Sequence, residues 1–113
     1  MNTLKNKRAK DTFDILIFEK GLRIKTLMID KDLDLLAVVL NNGKILASKI
    51  SYYYRLEKAS AKQLNTWRLI SDGVGVSWEN LDEDLSIKGF IKSTALNDML
   101  RHMLGESDTK AVV

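Results

Sequence analysis

Apolar and polar positions alternate with a two-residue period over much of the first half of the chain, and switch to a three- and four-residue period towards its end. Phe13 to Phe18 is apolar but short, and strand and helix end both remain open for it. Glu19-Lys20-Gly21 reads as a turn, because glycine accepts the positive φ of a tight reversal. Arg23 to Ile29 predicts a strand with Ile24, Thr26 and Met28 on one side and Arg23, Lys25, Leu27 and Ile29 on the other. Leu33 to Asn41 is the strongest strand. Leu35, Ala37 and Val39 face one way and Leu36, Val38 and Leu40 the other, so both faces are apolar and the strand belongs at the centre of a sheet. Asn42-Gly43 follows, the preferred pair for a type I′ turn, and Lys44 to Ile50 returns as the second arm of a hairpin.

Ser60-Ala61-Lys62-Gln63 fits a capping box and predicts a helix. Ala61, Leu64, Trp67 and Ile70 form its apolar stripe, Lys62 and Arg68 lie off it, and Gly73 stands where a C-cap glycine belongs. Val74 to Trp78 reads as a short strand and Glu79-Asn80-Leu81 as a turn leading into Asp82-Glu83-Asp84. Leu85 to Lys88 is extended, and Gly89 breaks the pattern. From Ser93 to Leu104 the repeat of Leu96, Met99, Leu100, Met103 and Leu104 predicts an amphipathic helix that Gly105 ends. The expected fold is α+β: a small antiparallel sheet with a central hairpin, one capped helix and a C-terminal amphipathic helix. One domain over residues 13–105 is flanked by a flexible arm, 1–12, and a loose tail, 106–113.

Charge divides the chain unevenly. Lys5, Lys7, Arg8 and Lys10 make the first ten residues basic and acid-free. Fourteen of the 18 basic residues remain beyond them against 15 acids, so the body carries about −1 beneath a net charge of +3. The arm reads as a solvated terminus, with nucleic acid or an acidic partner as the functional alternative. Cysteine is absent, which removes disulfides and thiolate metal sites. The longest apolar run, Leu35 to Leu40, falls far short of a membrane span, and no signal-peptide core is present near the start. The cytoplasm is the default expectation.

Candidate chemistry is sparse. Asp30, Asp32 and Asp34 have the spacing that opens a calcium loop, but Leu35 and Asn41 stand where that loop needs glycine and glutamate. A polar turn between strands is the better reading. His102 is the only histidine, so no zinc pair exists, and Gly73-Val74-Gly75 continues into Trp78 instead of a phosphate-cradling motif. Asp82, Glu83 and Asp84 make a weak cation site; a solvated turn is the better reading, and a patch for a basic partner is a third. Tyr52, Tyr53, Tyr54 and Arg55 could stack bases or grip a phosphate, although tyrosines more often edge a core. No catalytic set and no cofactor site emerges.

The hairpin around Asn42-Gly43-Lys44, then Arg55-Leu56, Ala59 to Gln63, Val76-Ser77-Trp78 and Leu81 to Ile87 follow in an order that resembles the bacterial and archaeal family called domain of unknown function 2442. The resemblance covers about residues 33–90. Tyr54 and Glu79 stand where the family commonly has proline. It implies a small α+β fold on an antiparallel sheet and no established activity. Its members resemble accessory modules, some paired with a second small protein in toxin–antitoxin-like arrangements. The expectation is therefore a non-enzymatic module that binds a small protein, antitoxin-like or regulatory. Its candidate surface is Tyr53, Arg55, Arg68, Trp78, Glu79, Asp82, Glu83 and Asp84, and self-association through the terminal helix is a further expectation. The alternative is a nucleic-acid-binding module built on the arm and the Tyr/Arg cluster.

Overall fold

The computed structural model describes residues 11–105. The fold is α+β with antiparallel strands and a C-terminal helix, as expected, and the strands form two three-stranded sheets. The first is a meander of β1 (Ile24–Asp30), β2 (Leu35–Leu40) and β3 (Ile45–Ser48), with β2 in the middle. The second is a meander of β4 (Arg68–Ile70), β5 (Gly75–Trp78) and β6 (Glu83–Ser86). Helix α1 (Thr12–Asp14) runs on as a π-helical turn, Ile15–Glu19, which resolves the open reading of Phe13 to Phe18 as helical. Two single-turn helices, α2 (Tyr54–Glu57) and α3 (Ala61–Leu64), connect the sheets, and α4 (Ile87–Met103) closes the described chain. The basic residues Lys5, Lys7, Arg8 and Lys10 and the tail beyond Gly105 lie outside the described residues.

One apolar cluster joins both sheets. Ile17, Leu22, Ile24, Leu27, Leu36, Val38 and Leu40 enter it from the first half, and Leu56, Leu64, Val76, Trp78, Ile87 and Phe90 from the second. The central strand β2 buries Leu36, Ala37, Val38 and Leu40, so both of its faces are covered, as its two-sided apolar pattern implies. In β1 the alternation slips. A bulge between Ile24 and Thr26 inserts a residue, and Ile24 and Leu27 both reach the core although three positions apart.

Three local expectations are corrected. The hairpin after β2 does not use a type I′ turn. Gly43 alone of the pair has positive φ, +90°; its amide donates to the Leu40 carbonyl at 3.0 Å, and the Leu40 amide to Lys44 at 2.8 Å. That is a three-residue loop, a type I turn closed by a left-handed glycine. Asn41 explains the choice. Its side chain accepts from the Arg23 amide (3.1 Å) and donates to the Gly21 carbonyl (3.0 Å), tying the loop to the entry of β1.

The second correction concerns the capped helix. Its capping box is present, with Gln63 N to Ser60 Oγ at 3.1 Å and Ser60 N to Gln63 Oε1 at 2.9 Å. The helix ends at Leu64, however, and Arg68–Ile70 is strand β4. Asn65 and Thr66 turn their side chains back onto the carbonyls of Ala61 (3.0 Å) and Gln63 (2.7 Å), local bonds that compete with helix propagation. Pairing with β5 then holds residues 68–70 extended. Gly73 is therefore no helix cap. It has φ +92° in a turn pressed against β1, and a Cβ there would stand 2.8 Å from the Ile24 carbonyl oxygen.

The third correction lengthens the last helix. β6 spans Glu83–Ser86, and α4 begins at Ile87, not near Ser93. Ser86 is its N-cap, its hydroxyl accepting from the Gly89 amide at 3.0 Å. Gly89 is thus inside the first turn, where its small size keeps the cap close; an added Cβ would lie 3.2 Å from Ser86 Oγ.

Candidate functional site

The expected interaction surface is divided by the second sheet. Residues paired across antiparallel strands share a face. Arg68, Ser77 and Asp84 are one such row, and it points outward; in the next row Val76 is buried and Leu85 half-buried, while Leu69 at its edge stays exposed. Trp78 also turns inward, and the structure removes it from the candidate surface. Its side chain is fully buried and its Nε1 donates to the Leu64 carbonyl at 2.9 Å. Glu83, its cross-strand partner, is half-buried at the edge of β6.

The charged members of that surface are largely engaged with one another. Asp82 occupies a left-handed conformation, φ +54°, at the end of the Glu79–Leu81 turn. This aims its carboxylate at Arg55, 3.5 Å away, while the same guanidinium donates to the Asp82 carbonyl. Glu79 stands 3.6 Å from Arg68. All four side chains are more than half exposed, so these pairs are screened and contribute little to stability. Among the described residues no three His, Cys, Asp or Glu side chains converge as metal ligands.

The three tyrosines do not form one platform. The Tyr52 hydroxyl accepts from Arg101 on α4. Tyr53 stacks on Phe90, with ring centroids 6.1 Å apart, and its hydroxyl meets Ser93 Oγ at 3.1 Å. Tyr54 is exposed, with the Lys58 ammonium 4.9 Å from its ring centre. Two tyrosines therefore seat α4, and the third stays exposed beside a cation of its own chain.

Helix α4 is the element whose exposure departs furthest from ordinary packing. Its first turns bury Ile87 and Phe90. Its second half presents a polar side to the body: Thr94 donates to Ser48 Oγ at 3.1 Å, Asn97 is half-buried, and Arg101 reaches Tyr52. The apolar stripe points out. Leu96, Met99, Leu100, Met103 and Leu104 keep 54%, 57%, 46%, 71% and 75% of their surface exposed. On one flank a groove of about 290 Å³ separates α4 from the edge strand β3 and its exposed Ile45. At the other end, Lys88 anchors the helix start to α1 through Asp11 and Asp14, both at 2.9 Å. The Asp14 amide and then Lys88 hold the Asp11 carboxyl below the ordinary carboxylate value, and the two acids raise Lys88. Sequence periodicity identified the stripe but not its direction. Ser93, Asn97 and Arg101 repeat at the same four-residue spacing, so either side of the helix could have faced in.

The family described as protein of unknown function (DUF2442) matches residues 25–94. The chain belongs to this family. A crystal structure of a protein of unknown function from Rhodospirillum rubrum is 32% identical, with 64% of this chain and 87% of that chain covered and a TM-score of 0.57. The solution structure of uncharacterized protein CV0863 from Chromobacterium violaceum has a TM-score of 0.60 at 20% identity, covering 83% of this chain and 84% of that one, a likeness of fold alone. No curated protein matches the chain. The matched family segment ends at Thr94, so the apolar stripe that starts at Leu96 lies beyond it.

Proposed function

We propose that this family member is a non-enzymatic protein-interaction module whose docking face is the outward stripe of α4. The observation that supports it is the inversion of that helix: its polar side chains bond to the body while five large apolar ones face solvent. Exposed apolar patches rimmed by polar residues mark interaction sites. The partner class is a small protein, in an antitoxin-like or regulatory pairing, acting in the cytoplasm. The Arg68–Ser77–Asp84 row and the Arg55–Asp82 pair serve as a polar rim on the far sheet, supplying charge complementarity and not the anchor. The nucleic-acid alternative has less support among the described residues, because Tyr52, Tyr53, Tyr54 and Arg55 each have a partner within the chain.

The test is affinity purification of the tagged chain from its native host, with and without nuclease, beside a Leu100→Lys/Met103→Lys variant. A stoichiometric protein that survives nuclease and is lost with the variant supports the reading. Recovery of nucleic acid alone, or of the same proteins with both chains, overturns it.

A further inference from the structure

We infer that the occupant of the α4 stripe is α4 of a second copy of this chain, packed antiparallel about a two-fold axis between Met99 and Leu100. This rests on the reading of the stripe as a docking face and names what docks there. An isologous contact requires a self-complementary patch. The stripe meets that requirement from both ends. Reversed about a centre between Met99 and Leu100, Leu96 falls opposite Met103 and Met99 opposite Leu100, so apolar meets apolar throughout. The spacing of Leu96, Leu100 and Met103, four then three, is the seam spacing of paired helices.

Charge fixes the direction. Lys92 is the one charged residue in line with the stripe, one turn before Leu96. In a parallel pair the two Lys92 ammonium groups would meet. In the antiparallel pair they separate to opposite ends and that repulsion is absent. Size is adequate as well. The exposed fractions of the five side chains add to about three whole side chains per copy. Six in a pair come to roughly 1,000 Å², which reaches the lower bound for a biological contact. Methionine at two of the five positions tolerates the repacking that a helix crossing needs.

The cysteine-free chain allows a clean test by single-cysteine substitution in the full-length protein under mild oxidation. Leu100→Cys and Met99→Cys each yield disulfide-linked dimers. Leu96→Cys alone and Met103→Cys alone do not, because seven residues of helix put like positions about 10 Å apart along the axis, beyond disulfide reach. An equimolar mixture of those two variants does cross-link. Leu33→Cys, exposed in the turn between β1 and β2, is the control. Leu100→Lys weakens the association by about 100-fold or more while leaving the circular dichroism spectrum intact, along with the urea midpoint read at about 1 μM, where the wild type is itself monomeric. Cross-linking of Leu96→Cys with itself would overturn the antiparallel arrangement. Cross-linking no greater than the Leu33→Cys control, with a monomer at every concentration, would overturn the second copy as occupant. If the lysine variants still lose a host protein in that case, the docking face stands with a different occupant; if they lose nothing, both proposals fall.

Discussion

Replacing Trp78 with phenylalanine separates two roles that the sequence leaves confounded, a recognition residue on the surface and the keystone of the core. The indole is fully buried and its Nε1 donates to the carbonyl at the end of α3. Phenylalanine keeps one ring and deletes three heavy atoms, a lost transfer free energy of about 2 kcal/mol before any cavity is counted. It also strands the buried Leu64 carbonyl, at about 1–3 kcal/mol. Together these predict a loss of about 3–5 kcal/mol, a large fraction of the roughly 5–15 kcal/mol typical of a domain. Urea denaturation measures it, with Trp67 left as the fluorescent reporter. The midpoint should fall while the slope stays that of the wild type. A loss below about 1 kcal/mol, the net value of one ordinary hydrogen bond, together with lost partner binding, would refute the buried assignment and return Trp78 to the surface.

Other substitutions probe the local corrections. Gly73→Ala should cost more than Gly43→Ala. Both positions have positive φ, worth about 1–2 kcal/mol against alanine, but only Gly73 adds a 2.8 Å collision with the Ile24 carbonyl; equal losses would place no close approach there. Ser60→Ala should cost about 1 kcal/mol by removing the capping box, read from the same urea midpoint, and no change would mean α3 is held by packing alone. Stability should fall at the acid end as Asp11 is protonated and loses first the Asp14 amide bond and then the Lys88 contact. Asp11 has a folded pKa below its ordinary 3.8, so its contribution is present above about pH 3.8 and disappears as pH falls through the folded value. Lys88→Met should flatten that limb, and parallel limbs for the two proteins would contradict the contact.

Patterns of long range were legible in the sequence, and those decided by competition between neighbours were not. The two-sided apolar run of Leu35 to Leu40 could only be a covered central strand, and β2 is that strand. The capping box at Ser60 and the strand ending at Trp78 were equally plain. The helix beyond Leu64 was misread because Trp67 and Ile70 keep a helical spacing while Asn65 and Thr66 close the helix from their side chains. A stripe of apolar residues says nothing about a pairing partner five or ten residues away, and it is β5 that makes residues 68–70 a strand. Gly89 looked like a break because composition cannot separate a glycine that ends a helix from one beside an N-cap.

The candidate site was legible in part for a related reason. Arg55, Arg68, Glu79, Asp82 and Asp84 are exposed, but the Arg55–Asp82 pair depends on a left-handed Asp82 that no pattern announces. Trp78 belongs to the core because the alternation of β5 puts it, with Val76, on the inner row. The terminal helix was recognised as amphipathic, and its orientation came only with Tyr52 and Ser48, which hold its polar side from outside the helix.

Sedimentation equilibrium of the full-length chain tests the account's central claim most directly, that the stripe of α4 is covered by α4 of a second copy. Measured from about 1 μM to about 1 mM, the wild type should move from the monomer mass to twice that mass, and Leu100→Lys should stay monomeric across the same range. A wild-type chain that remains monomeric throughout, with a sedimentation profile the variant reproduces, would contradict the inference that α4 closes on its own copy.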